Sequence, residues 1–193
     1  MKKVTAFIGS QQKRATYRAV QEFEENLKSY AEIDFEYVFL KDYCLEYCKG
    51  CKLCFDKGEE YCSSKDDRDL LMEKMNNSDG VIFATPNYSF QVTALMKNFL
   101  DRIAFVLHRP QFFGKAFTAI VTQGIFGGAS IEKYLETMGG NLGFQVAKGC
   151  CLTTLEPETE LQKKKTTQKS KKPQRDFIRN LCVPRRQVLL FSG

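Results

Sequence analysis

Short apolar runs that alternate with amphipathic helical stretches constrain this chain more than any other feature. Val4 to Ile8, Asp34 to Leu40, Gly80 to Thr85, Ala116 to Thr122 and Phe144 to Leu152 read as five strands, with helical patterns between them. Runs such as Val81-Ile82-Phe83-Ala84 and Ala119-Ile120-Val121 lack polar alternation, as strands covered on both faces do, so a parallel sheet is expected. In the first helix Val20, Phe23, Leu27 and Tyr30 or Ala31 form one stripe. Leu71 with Met75, Leu95 with Phe99 and Ile103, and Ile131 with Leu135 and Met138 repeat it in the next three helices. Five β/α units of this kind make a doubly wound α/β sheet, and one domain over residues 1–193 accommodates them. Such sheets bind ligands beyond the carboxyl ends of their strands, where the strand order reverses. The loops after the first, third and fourth strands are therefore the ones to read for function.

Composition narrows the partners. Of 193 residues, 43% are hydrophobic and 27% charged, the balance of a soluble globular protein. No uncharged apolar run approaches the roughly 18 residues of a membrane span. The opening Met1 to Gly9 has too short an apolar stretch for a signal peptide, so no membrane partner and a cytoplasmic location are expected. The net charge of +6 comes from Lys163, Lys164, Lys165, Lys169, Lys171, Lys172 and Arg175; without that block the chain carries −1. A basic face across the fold is not indicated, no nucleic-acid partner is expected, and the block reads as a solvated loop. Within the basic segment 157–193, Glu158 to Lys165 suit a helix, Thr166 to Lys172 a loop, and the tail from Arg175 a last helix over Phe177, Ile178 and Leu181.

The first loop, Gly9-Ser10-Gln11-Gln12-Lys13-Arg14-Ala15-Thr16-Tyr17, opens an amphipathic helix. Free backbone N–H groups and the positive end of the helix dipole suit a phosphate there. Ser10 and Thr16 add hydroxyl donors, and Lys13 or Arg14 adds charge. With one glycine and no Gly-Lys-Ser/Thr, the loop matches neither a dinucleotide fingerprint nor a P-loop, so a mononucleotide phosphate fits better. The third strand ends in Thr85-Pro86-Asn87-Tyr88-Ser89-Phe90-Gln91, where polar edges and aromatic faces suit a planar polar heterocycle. The fourth ends in Thr122-Gln123-Gly124-Ile125-Phe126-Gly127-Gly128, whose glycines let backbone approach a ligand closely.

These residues carry a resemblance. Val4-Thr5-Ala6-Phe7-Ile8-Gly9-Ser10, Thr85 to Phe90, and Leu95-Met96-Lys97-Asn98-Phe99-Leu100-Asp101-Arg102 resemble the flavodoxin-like NAD(P)H-dependent FMN reductases over about residues 2–152, above all the iron-sulfur flavoproteins and their cluster-free relatives. The resemblance implies a flavodoxin-like five-stranded parallel sheet of order 2-1-3-4-5. It implies FMN phosphate on Ser10, Lys13, Thr16 and Tyr17, and the isoalloxazine against Pro86, Asn87, Tyr88, Ser89 and Phe90 with Thr122, Gly124 and Gly127 closing over it. It also implies NAD(P)H as cosubstrate, a small-molecule acceptor or redox protein as partner, and a homo-oligomer, dimer or tetramer. The family's first loop usually carries a proline and an asparagine, where this chain has Gln11 and Ala15.

Eight cysteines would suggest disulfides in a small secreted domain, but five crowd into the insert 44–62, which points to metal or redox chemistry. Cys48, Cys51 and Cys54 form two overlapping Cys-x-x-Cys units and Cys62 follows, a set able to hold an iron-sulfur cluster or zinc, or to stay as reduced thiols. Lys49 and Lys52 favour thiolates, and Cys44 is the spare. By resemblance to the iron-sulfur flavoproteins, the set implies a [4Fe-4S] cluster passing electrons to FMN. Cys150, Cys151 and Cys182 read as small packed residues, Asp66 and Asp67 as a helix start, His108 as an exposed helix-end residue, and Asp101 with Arg102 as an ion pair on one helix. No catalytic side chain stands out. The expected activity is that of an FMN oxidoreductase moving electrons from NAD(P)H to a flavin, quinone or other acceptor. The rivals are a non-enzymatic electron carrier with FMN and a cluster, and a zinc-stapled interaction module without flavin.

Overall fold

The computed structural model describes residues 1–154 and 173–182. Strands β1 (Lys2–Ile8), β2 (Ile33–Phe39), β3 (Gly80–Pro86) and β4 (Ala116–Gln123) alternate with helices α1 (Ala15–Lys28), α2 (Leu53–Asp56), α3 (Arg68–Asn76) and α4 (Ala94–Arg102). Helix α5 (Gly128–Asn141), strands β5 (Gln145–Val146) and β6 (Cys150–Thr153), and helix α6 (173–182) follow. The sheet runs β2-β1-β3-β4-β5, all parallel, which is the flavodoxin-like order.

Period-2 alternation sends neighbouring strand residues to opposite faces. Phe7, Val81, Phe83 and Phe117 pack beneath α3, α4 and α5, against Leu71, Met75, Met96, Phe99 and Leu135. Val4, Ala6, Ile8, Ile82 and Ile120 pack on the other face with Val20, Phe23 and Leu27 of α1 and Phe177 and Leu181 of α6. The expected tail helix is thus present and docked; a Cβ on Gly80 would lie 2.7 Å from the Phe177 ring. The α1 stripe closes on Leu27, while Tyr30 lies beyond the helix and is exposed. The proposed helix and loop at 158–172 lie outside the described residues.

The fifth strand differs from its expected single span. Phe117 pairs with Val146 and Ile120 with Cys150, so β5/β6 advances four residues while β4 advances three. This one-residue bulge falls at Ala147 to Gly149, where a Cβ on Gly149 would lie 2.7 Å from Ala119 O. Cys150 is buried in β6 and its thiol is pushed up to about 12 by burial, first, and by nearby Glu132 and Cys151. Cys182, expected to be packed, is instead exposed on the last residue of α6.

Candidate functional site at the sheet rim and the cysteine insert

The carboxyl ends of β1, β3 and β4 form one rim. Gly9 N donates to Ala84 O at 2.8 Å, and Gly9 O accepts from Thr93 Oγ1 at 2.6 Å. A Cβ on Gly9 would sit 2.9 Å from both Thr93 Oγ1 and Met96 Cβ, so glycine is what lets β1 end against the start of α4. Thr93 also caps α4 by accepting from Met96 N at 3.2 Å. Ser10 is buried and donates to Gln12 O at 3.0 Å. No side chain caps α1, so its first-turn amides face the loop.

The four phosphate candidates divide. Ser10 and Thr16 lie within the rim, and the Thr16 hydroxyl meets that of Thr122 on β4 at 2.7 Å. Lys13 and Tyr17 turn toward β2: the Lys13 ammonium lies 5.1 Å from the Phe39 ring centre, and the Tyr17 ring stands 5.2 Å from that of Tyr37.

The second and third loops are tied to each other. Asn87 N donates to Thr122 O at 2.7 Å, next to Pro86 at the end of β3. Asn87 Nδ2 donates to Phe126 O at 3.0 Å, and Asn87 Oδ1 is buried without a hydrogen-bond partner. Tyr88 and Gln91 exchange two backbone bonds of 3.0 Å around Ser89 (φ 51°) and Phe90 (φ 63°), a primed turn built on two non-glycine residues. Left-handed conformations at such residues cost about 1–3 kcal/mol each and persist where the surroundings impose them. Gly127 (φ 92°) is one reason for the close approach: a Cβ there would lie 2.5 Å from Phe90 Cδ1. Gly124 faces open space. The Phe90 and Phe126 rings sit 5.5 Å apart, and both are exposed, as are Tyr88 and Ile125.

Two structuring residues escaped the sequence reading. Gln123 Oε1 accepts from Gly128 N at 2.6 Å, and its Nε2 donates to Thr153 Oγ1 at 3.2 Å, fixing the third loop. Thr93 is the other; a threonine just before a helical stretch is an N-cap signal that was available.

In the insert, Cys48, Cys51, Cys54 and Cys62 all border one cavity of about 80 Å³, together with Arg68 and Arg102. Cys44 stands apart, its amide donating to Asp67 Oδ2 at 2.7 Å. Gly50 (φ 63°) and Lys52 (φ 61°) make the left-handed turns that bring the first three thiols round. Among the described residues no three Cys, His, Asp or Glu groups converge as they would on a single ion.

Arg102 does not pair with Asp101. Adjacent helix residues point apart: Asp101 bridges to Lys97, one turn back, and Arg102 Nη2 meets Asp66 Oδ1 at 2.8 Å. Arg102 Nη1 donates to Cys62 Sγ at 3.2 Å. Burial pushes the Cys62 thiol up, but the Arg102 guanidinium and the Ser64 amide outweigh it and hold the thiol below its ordinary range. Burial raises the Cys54 thiol above its ordinary range, outweighing a backbone hydrogen bond at Cys54 that pulls the other way. Asp67 precedes α3, as expected of the helix start, and Asp66 Oδ1 accepts from Arg68 N at 3.2 Å. The exposed His108 ring stands edge-on to Phe55 at 4.7 Å. Thr93 and Met96, at the start of α4, touch the rim, and Arg102, at its end, touches the thiol cavity. At 1.5 Å per residue the helix separates them by about 12 Å.

A family model described as NADPH-dependent FMN reductase matches residues 2–154. The chain belongs to that family. This FMN reductase family member is 34% identical to an iron-sulfur flavoprotein of Archaeoglobus fulgidus over 129 residues, 66% of this chain and 62% of the relative. An iron-sulfur flavoprotein of Clostridioides difficile is 29% identical over 145 residues, 73% of this chain and 63% of the relative. The match thus spans less than two thirds of each relative's length. In fold, the family member is similar to RosB with bound 8-demethyl-8-formylriboflavin-5'-phosphate, with a TM-score of 0.73 at 14% identity over 94% of this chain and 79% of that one. It is also similar to the NAD(P)H:quinone oxidoreductase from Methanothermobacter marburgensis, with a TM-score of 0.67 at 14% identity over 91% and 98%. Among the described residues no helix is long and apolar enough to cross a membrane.

Proposed function

We propose that the chain is an FMN-dependent oxidoreductase that draws reducing equivalents from NAD(P)H for a flavin, quinone or other acceptor, with an iron-sulfur cluster in the cysteine insert. The observation that carries the reading is the rim itself: in a member of the FMN reductase family, Ser10, Thr16, Asn87, Thr122 and Gly127 meet beside an uncapped helix start. FMN, when bound, supplies the hydride- and electron-transfer chemistry. The first-turn amides of α1 and the hydroxyls of Ser10 and Thr16 hold its phosphate. Asn87 Oδ1, buried and unpartnered, is an acceptor suited to a ring N–H. Tyr88 and Phe90 give aromatic faces, and the Phe90 and Phe126 rings meet across the two loops. No acid, base or nucleophile is required of the chain.

For the insert, four thiols around one cavity fit a multinuclear cluster. Zinc, which also takes four thiolates, is the rival that metal analysis separates from iron. The exposed rim residues Tyr88, Phe90, Ile125 and Phe126 support burial against a second copy, hence a homo-oligomer. The test is anaerobic purification followed by an absorption spectrum, iron, sulfide and zinc analysis, and NAD(P)H oxidation with a quinone. Flavin bands, iron with sulfide, and nicotinamide turnover are expected. A protein that stays colourless after incubation with FMN overturns the reading, and bound flavin without nicotinamide turnover replaces it with an electron carrier.

A further inference from the structure

The thiol cavity is flanked by two arginines that the fold buries, and their engagements differ. Arg68 is committed to structure: Nη2 donates to Glu59 O at 2.8 Å, Nε to Asp69 Oδ1 at 2.7 Å, and its guanidinium lies 5.3 Å from the Phe105 ring centre. Arg102 uses Nε and Nη2 on the two oxygens of Asp66, at 3.2 and 2.8 Å, and aims Nη1 at Cys62 Sγ, 3.2 Å away. The side chains of this pair are only 3% and 2% exposed. Water therefore screens neither the guanidinium nor the carboxylate from the sulfur.

We propose that Arg102 is a positioning residue for Cys62 and sets the electron affinity of a cluster held by Cys48, Cys51, Cys54 and Cys62, with Asp66 moderating it; this rests on the cluster reading above. Taking up one electron at that site makes or breaks no bond and moves no proton, so it adds a full unit of negative charge to the sulfur cage. Hydrogen bonds to the sulfurs and a nearby cation favour that added charge and raise the reduction potential. Arg102 supplies both through one N–H. Asp66 holds the guanidinium in place but offsets part of its charge. The two residues thus push the potential in opposite directions, which a purely structural strut would not do.

The experiment is a redox titration, followed by electron paramagnetic resonance, of the anaerobically prepared full chain and three variants. In the double variant Arg102→Gln/Asp66→Asn, which removes both buried charges together, the reduced-to-oxidised ratio at the native midpoint falls about tenfold, ~59 mV for one electron. In Asp66→Asn the ratio rises, and in Arg102→Lys, which keeps the charge, it stays nearer the native value than in the double variant. A cluster retained at an unchanged potential in the double variant overturns the role of Arg102 and leaves the cluster reading standing. A chain without iron and sulfide overturns both. Should the variants fail to fold, the native protein labelled with ¹⁵N-arginine decides the matter: nitrogen hyperfine coupling to the reduced cluster is expected, and its absence overturns the proposal.

Discussion

The hydroxyls of Thr16 and Thr122 meet at 2.7 Å, both buried, joining the first turn of α1 to the end of β4. Thr16→Val leaves the Thr122 hydroxyl without that partner and removes one of the proposed phosphate donors. Stability and FMN binding are each expected to fall by about 1–3 kcal/mol, the range for an unmade buried or charge-assisted hydrogen bond. Thr16→Ser restores both, as urea melts and flavin fluorescence titration would report. Unchanged FMN affinity in Thr16→Val removes Thr16 from the phosphate site.

Ser89 and Phe90 hold positive φ without being glycine. Ser89→Gly relieves that conformation and is expected to stabilise the protein by about 0.5–1 kcal/mol, net of the entropy glycine adds to the unfolded chain. A lower melting temperature would show that the serine hydroxyl contributes more than its backbone costs.

Gly127→Ala forces a Cβ toward Phe90 at a backbone angle that L residues avoid. The third loop must shift off the second, and flavin affinity is expected to fall at least tenfold while the sheet stays intact. Equilibrium dialysis against FMN measures the first effect and far-ultraviolet circular dichroism the second.

Cys51 borders the thiol cavity and Cys44 does not. Cys51→Ser should bleach the broad visible absorbance and lower iron content while flavin stays bound, whereas Cys44→Ser leaves the spectrum alone. Equal loss in both variants would contradict the separation of Cys44 from the other four.

Asp66 makes stability depend on acid. Burial pushes its carboxyl up, but Arg102 and the amides of Glu46 and Arg68 outweigh this and hold it below the ordinary carboxylate range. A depressed carboxyl stabilises the fold fully above the unfolded value, about 3.9, and that contribution disappears as pH falls through the lower folded value. Urea stability should therefore drop more between about pH 5 and about pH 3 in the native chain than in Asp66→Asn. Parallel pH profiles would mean that Asp66 titrates alike folded and unfolded.

Hydrophobic periodicity made the fold legible. Uninterrupted runs such as Val81 to Ala84 mark strands covered on both faces, and the stripe of Val20, Phe23 and Leu27 marks a helix lying on them. The rim loops were legible because parallel topology brings the ends of β1, β3 and β4 to one side. What the sequence hid depends on partners distant in the chain. Asp101 and Arg102 are neighbours in sequence but diverge on the helix, so Arg102 finds Asp66 instead. The bulge at Ala147 to Gly149 leaves no mark in a continuous apolar run, because a register slip is a property of two strands. Lys13 and Tyr17 read as phosphate contacts, yet they turn to an aromatic cluster on β2 whose proximity no local pattern announces.

Helix α4 has its first turn in the rim and its last residue against the thiols. With FMN at the rim and a cluster at the thiols, as proposed above, this stiff rod between two redox stations behaves as a ruler. Tunnelling falls off steeply with distance, so traffic between the stations is governed by a length written into nine residues of backbone rather than by the chance motion of a loop.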